Sequence, residues 1–195
     1  MPIRTINPPP GSTITLTNDG ADPVLKIPQR SGGVMRYFVG LFVLFWLGAW
    51  FMGFRDVGTR ILSGSAHPFL IFRLGAWTLG GAFAVWTLYR AFRPSVPETL
   101  RLGQNGVTYD SGIPPFQMNF GYMNQKQAWQ SYFPKRTIVE IDRHQLKSLR
   151  LRETDADNRL TVDVDSSRLD IGRAASEVER EWLYQVLADR YAIRS

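Results

Sequence analysis

Two stretches of this chain carry almost no charge, and they limit what it can fold into more than any other feature. Residues 37–54 read YFVGLFVLFWLGAWFMGF, eighteen residues without a charged side chain. Residues 68–89 read PFLIFRLGAWTLGGAFAVWTLY, twenty-two residues with one charge, Arg73. An α-helix rises about 1.5 Å per residue, so roughly 20 apolar residues cross a hydrocarbon layer of about 30 Å. Core helices of soluble proteins keep a polar stripe, and these runs are apolar all round. The expectation is a transmembrane hairpin, with helix 1 over 34–54, a short external loop over 55–67 and helix 2 over 68–93. The preceding NPPPGSTITLTNDGADPVLKIPQRSGG is polar and turn-rich, unlike a cleaved leader, so insertion without cleavage is expected.

The basic residues orient the hairpin. Lys26, Arg30 and Arg36 precede the first run, Arg90, Arg93 and Arg101 follow the second, and the connection holds only Arg55 and Arg60 around Asp56. Positive flanks stay inside, so both termini are expected in the cytoplasm, with the chain in a bacterial inner membrane. Nine basic and three acidic residues precede Pro94, which accounts for the whole formal charge of +6. The high pI therefore reflects insertion, and a nucleic-acid groove is not expected. With no cysteine in the chain, disulfides, thiolate metal sites and thiol nucleophiles are excluded.

The tetrapeptide LGAW occurs twice, at 47–50 and 74–77. Small residues let helix backbones approach in lipid, where little hydrophobic drive remains. The expected packing seam is Gly40, Gly48 and Ala49 on the first helix against Gly75, Ala76, Gly80 and Ala84 on the second. The tryptophans Trp46, Trp50, Trp77 and Trp86 are then assigned to the lipid or interfacial side. Arg73, five residues into its run, is expected to snorkel to the outer interface.

From Pro94 onward short strands are expected. ETLRLGQNGVTYDSG is a hairpin around Asn105-Gly106, and RTIVEID, LKSLRLRE, RLTVDVD and RLDIG follow as further strands. Ser176-x-x-Glu179 is a capping box opening a helix over 176–192, with Val178, Trp182, Leu183, Val186, Leu187 and Tyr191 as its apolar face. STITLTNDGADPVLKIPQ in the 1–33 segment reads as strand, Asp-Gly turn and strand, and can join the same sheet for about seven strands. The fold class is thus an α+β membrane protein, a two-helix hairpin plus a cytoplasmic antiparallel β-rich domain over 94–195 with a C-terminal helix. The closing RLDIGRAASEVEREWLYQVLADRY resembles bacterial membrane-anchored pleckstrin-homology-like (PH-like) domains. It is also similar to uncharacterised two-span bacterial families that end in a strand, an "IG" and an "ER-L" helix, here Ile171, Gly172, Glu179, Arg180 and Leu183. The resemblance covers the last hundred or so residues and implies a PH-like fold in a membrane setting; no catalytic residue comes with it. The long loop at 112–135 departs from that pattern.

That loop is rich in aromatics: Phe116, Phe120, Tyr122, Trp129, Tyr132 and Phe133 are candidates for contact with the interface or a partner. Arg136, Arg143, Lys147, Arg150 and Arg152 face only Glu140 and Asp142 in their stretch and are candidates for anionic-lipid contact. Asp142-Arg143-His144 reads as a turn, and Asp155, Asp157 and Asn158 lack the distal ligands of a calcium loop. No catalytic residue, metal or cofactor is expected. The expected function is a non-enzymatic scaffold, accessory or assembly subunit of a membrane complex, binding other membrane subunits or itself. A lipid-headgroup-sensing module is the alternative, and a membrane enzyme or transporter component using Arg73 or His144 is the lesser one.

Overall fold

Residues 7–19, 22–29, 33–64, 67–116, 129, 132–153 and 157–193 are described by the structure, a computed structural model. The chain divides into two units: Met1–Arg30 with Ser95–Pro114 and Pro134–Ser195, and Ser31–Pro94 with Pro115–Phe133. The aromatic segment expected within the C-terminal domain thus groups with the helices.

The helical unit holds α1 (Met35–Leu62) and α2 (Pro68–Phe92), both long and apolar enough to cross a membrane. Helix α1 continues well past the expected end at residue 54, so most of the expected loop 55–67 is helical. Nothing in RDVGTRIL breaks a helix: Asp56 and Arg60 pair at 3.2 Å one turn apart, and the Thr59 hydroxyl donates to the Asp56 carbonyl at 2.8 Å. Helix α2 starts at Pro68, whose missing N–H costs nothing in a first turn, and His67 Nδ1 accepts from the Phe69 N–H at 3.3 Å.

The other unit is α+β. Strands β1 (Thr15–Asp19), β2 (Asp22–Ile27), β3 (Glu98–Leu102), β4 (Gly106–Asp110) and β5 (Ile138–Asp142) form a five-stranded antiparallel sheet in sequence order. Strands β6 (Arg150–Glu153), β7 (Asn158–Val164) and β8 (Ser167–Ile171) form a second, three-stranded one. Between β5 and β6, the stretch Gln145–Ser148 is a 3-10 turn rather than the start of a strand, and the described residues hold eight strands where about seven are expected. Strands β2 and β3 are hydrogen-bonded neighbours, Leu25 opposite Leu100, although both long helices lie between them in the chain. Alternation puts Leu25, Leu100, Leu102, Val107, Tyr109 and Ile141 of the first sheet into one core with Leu160, Val162 and Ile171 of the second.

Helix α3 (Glu177–Tyr191) adds Leu183, Leu187 and Tyr191 to that core. Val178, expected on its apolar face, is 62% exposed. Glu179 and Arg180 are buried instead, because the start of the helix is held by polar contacts. Glu179 completes the capping box by accepting from the Ser176 N–H at 2.7 Å, and also accepts from the Ser12 hydroxyl at 2.6 Å and the Thr13 N–H at 3.1 Å. Arg180 donates from Nε and Nη2 to the Ala175 carbonyl at 3.1 and 3.0 Å, and from Nη1 to Asp157 and Asn158 at 3.1 and 3.2 Å. Burial would raise the Glu179 carboxyl, but the hydrogen bonds from Ser12, Ser176 and Thr13 outweigh it and hold it below its ordinary range. A depressed carboxyl contributes stability above its unfolded pKa of about 4.3 and loses it as pH falls through the folded value. Glu179→Ala is expected to cost up to about 2 kcal/mol at pH 7 and markedly less at pH 3. Thermal melts in mild detergent, followed by circular dichroism, measure the difference.

Candidate functional site

The residues that bring α1 and α2 together recur with steps of three and four. On α1, Gly40, Val43, Leu47, Trp50, Phe54 and Val57 are buried or half-buried; on α2, Leu70, Leu74, Trp77, Gly81, Ala84 and Leu88 are. That mean step of 3.5 is the spacing of a heptad seam, and Thr87, Arg90 and Ala91 are buried beside it near the end of α2. The expected seam was out of phase. Gly48, Ala49, Gly75, Ala76 and Gly80 are exposed, and a Cβ added at Gly48, Gly75 or Gly80 meets nothing within 4 Å. Only Gly40 and Ala84 of the expected set face the partner helix side. A spacing of four drifts off a 3.5 seam, which is why the Ala76-Gly80-Ala84 ridge turns away over two turns.

The two LGAW copies act through their tryptophans, which were expected on the lipid or interfacial side. The Trp50 ring occupies the notch at Gly81, where an added Cβ would overlap it, and the Trp77 ring sits 3.2 Å from the Cβ position of Gly53. Each copy thus supplies a Trp to a glycine on the other helix. With no side chain at Gly81, the Trp50 indole N–H reaches the Trp77 carbonyl at 2.9 Å. An indole N–H between apolar helices otherwise goes unsatisfied, at a cost of about 1–3 kcal/mol. At the end of the hairpin nearest the strands in sequence, the Phe92 ring covers Gly40, 2.6 Å from its Cβ position, and meets Tyr37 edge-on at 5.9 Å. Arg73 lies over the Trp77 ring at 5.4 Å, one turn along α2.

The described rings of the 112–135 loop stack on α2. Tyr132 packs on Phe83 and on Phe116, both at 5.1 Å. Phe133 stacks on Trp86 and Trp129, both at 5.7 Å, and Trp86 meets Tyr89 at 5.6 Å. Phe116 is buried, whereas Trp129 and Phe133 are 58% and 52% exposed. The Phe133 N–H donates to the Trp129 carbonyl at 2.9 Å. Phe120 and Tyr122 lie outside the described residues. The base of the loop is clasped within the β unit. Arg136 Nε donates to both carboxylate oxygens of Asp110 at 2.9 and 3.1 Å, and the Ser111 N–H donates to the Thr137 carbonyl at 3.0 Å. Arg136 hydrogen bonding therefore holds the Asp110 carboxyl below its ordinary range, against the effect of burial.

Of the five basic candidates, Arg136 is engaged in this clasp, with its side chain about half exposed. Arg143 reaches the Tyr191 carbonyl at 3.5 Å, at the end of α3, and Arg150 donates to the Leu149 carbonyl at 3.3 Å. Arg143, Lys147, Arg150 and Arg152 are all exposed, and Arg152 lies directly across from Arg159 in the β6–β7 ladder. Among the concavities of the β unit, one of about 380 Å³ is lined by Asp157, Arg159, Asp170, Arg173 and Arg180, and one of about 540 Å³ on the outer face of the large sheet mixes Val24 and Ile138 with Lys26, Thr99, Arg101 and Asp110. Asp157 is ion-paired to Arg180 at 3.1 Å and Arg159 at 3.8 Å. His144 is exposed, before the 3-10 turn. Asp155 lies outside the described residues.

Sequence reasoning missed a buried carboxylate, Glu98. It accepts from the Gly172 and Arg173 N–H groups at 2.6 and 3.2 Å, where Gly172 holds φ at +69° and turns successive amides toward one anion. Burial pushes the Glu98 carboxyl above its ordinary range even though those amides oppose it. Its neighbour Tyr109, wholly buried, has its hydroxyl raised by the same desolvation and donates to the Asp170 carbonyl at 3.2 Å. The residues quoted for the resemblance thus have structural tasks: Gly172 holds Glu98, Glu179 and Arg180 dock α3, and Ile171 and Leu183 fill the core.

No protein-family model, curated protein or solved structure matches the chain. The seam makes a test at two adjacent glycines. Gly80→Ala is expected to be neutral or to stabilise by up to about 1 kcal/mol, as alanine favours helix. Gly81→Ala is expected to destabilise by about 1–3 kcal/mol, because the Trp50 ring has to leave its notch. Unfolding of the two variants in the same detergent compares them.

Proposed function

We propose that this chain is an integral membrane protein without catalytic activity, serving as a scaffold, accessory or assembly subunit of a membrane complex. In this reading α1 and α2 cross a bacterial inner membrane as a hairpin, both chain ends are cytoplasmic, and the β unit is a PH-like module.

The outward surface of the hairpin carries the reading. Large apolar side chains such as Phe45, 78% exposed, and Leu79, 73% exposed, cover both helices on the sides away from the seam. An apolar surface of that extent is stable in lipid or against another apolar surface, and in water it aggregates. The pairing of β2 with β3 supports a single side for both termini, since the strands entering and leaving the hairpin are neighbours in one sheet. Two sheets of five and three strands closed by a C-terminal helix support the PH-like reading. The non-catalytic part rests on how the buried ionisable groups of the β unit are used: Glu98, Glu179, Arg180 and Asp110 each hold two chain segments together.

An accessory role predicts stable company in the membrane. Crosslinking in intact native membranes, followed by purification in mild detergent, should recover the chain with the same membrane protein partner, or a second copy, at fixed stoichiometry. Recovery of a solitary monomer under crosslinking contradicts the proposal.

A further inference from the structure

The exposed rings at the edge of the helical unit have no task in the scaffold reading, and the helices alone do not require them. Trp129 and Phe133 stack outward from Trp86, and Tyr132 from Phe83, so the segment adds a lateral shelf of rings to one side of α2. Its level along the helix follows from counting. Phe83 and Trp86 lie nine and six residues before the end of α2 at Phe92, or about 14 and 9 Å at 1.5 Å per residue. A helix of 25 residues exceeds a hydrocarbon layer of about 30 Å by several ångströms, and the headgroup zone adds about 5–7 Å on each side. With that excess shared between the two ends, the Trp86 level lies about 5 Å on the acyl side of the headgroup boundary, and the Phe83 level a turn deeper.

Resting on the membrane-spanning reading above, we infer that this shelf lies just on the acyl side of the headgroup boundary, in the leaflet on the side of the chain ends. It is a third contact with the bilayer, one that does not span it. The occupant is lipid rather than a protein partner, because Trp129 and Phe133 continue the surface of Phe83 and Trp86, which are themselves part of the outward side of α2. Tryptophan and tyrosine suit that depth, having an apolar body and one polar group each. The exposed Arg93 just beyond α2 gives the same end a positive charge that complements anionic headgroups. The shelf widens the footprint of the hairpin on one leaflet.

The chain has no native cysteine, so single labels report single sites. Full-length Trp129→Cys, Phe133→Cys, Leu79→Cys and Glu181→Cys variants, spin-labelled and reconstituted in vesicles of phosphatidylcholine and phosphatidylglycerol, are compared by collision with oxygen and with a water-soluble nickel chelate. Leu79 marks the lipid-facing middle of α2 and Glu181 an exposed site on α3. Labels at 129 and 133 are expected to meet nickel about three-fold or more less often than the label at 181, with oxygen-to-nickel ratios between those of 181 and 79. Nickel access at both sites equal to that at 181 overturns the inference, as does shielding of both from oxygen and nickel together. If the label at 79 reports lipid while those at 129 and 133 report water, the shelf alone fails. If the label at 79 itself reports water, the membrane-spanning reading fails first.

Discussion

Leu25 faces Leu100 across a strand pair that the chain closes only after passing through two long helices, and the rest of the architecture depends on that closure. Bringing β2 and β3 together costs loop entropy, and the cost of a long connection falls when the connection folds back on itself. The heptad seam makes that return possible: Trp50 in the Gly81 notch, Trp77 beside Gly53, and Phe92 over Gly40 bring the first turns of α1 against the last turns of α2. Each glycine admits a ring, and one of them also opens a backbone carbonyl to an indole N–H.

Charge in the β unit does structural work. Glu98 joins the first strand after the helices to the turn following β8, and Glu179 ties α3 to Ser12 and Thr13 ahead of β1. Arg180 fastens the same helix end to the Ala175 carbonyl and the start of β7, and Arg136 with Asp110 closes the base of the aromatic loop. Apart from the bond to Ala175, these contacts join segments far apart in sequence. Such bonds carry more than neutral ones, and their loss leaves a buried charge or amide without a partner.

The two long helices were legible because a run of eighteen uncharged residues leaves few alternatives, and the hairpin at Asn105-Gly106 and the Ser176–Glu179 box were legible because turns and caps demand particular residue types. Helix phase was not. Small residues at Gly48, Gly75 and Gly80 resemble a packing ridge, but a seam of period 3.5 needs only occasional glycines, placed where a large ring arrives from the other helix. Tryptophan is equally at home at an interface and in such a notch, so composition alone cannot choose. Val178 was assigned inward for a similar reason: hydropathy favours it over Glu179 and Arg180, and the polar partners that reverse the order, Ser12, Thr13, Asp157 and Asn158, lie far away in sequence. Arg136 as a clasp was equally hidden, since its partner Asp110 stands on the other side of the aromatic loop.

The central claim is that α1 and α2 pass through lipid as one closed hairpin, with both chain ends on the same side. Protease treatment of sealed inside-out vesicles from cells carrying the chain with a different epitope tag at each end tests it most directly. The account predicts that both tags are digested without detergent while the vesicles remain sealed. Protection of one tag and loss of the other would contradict it.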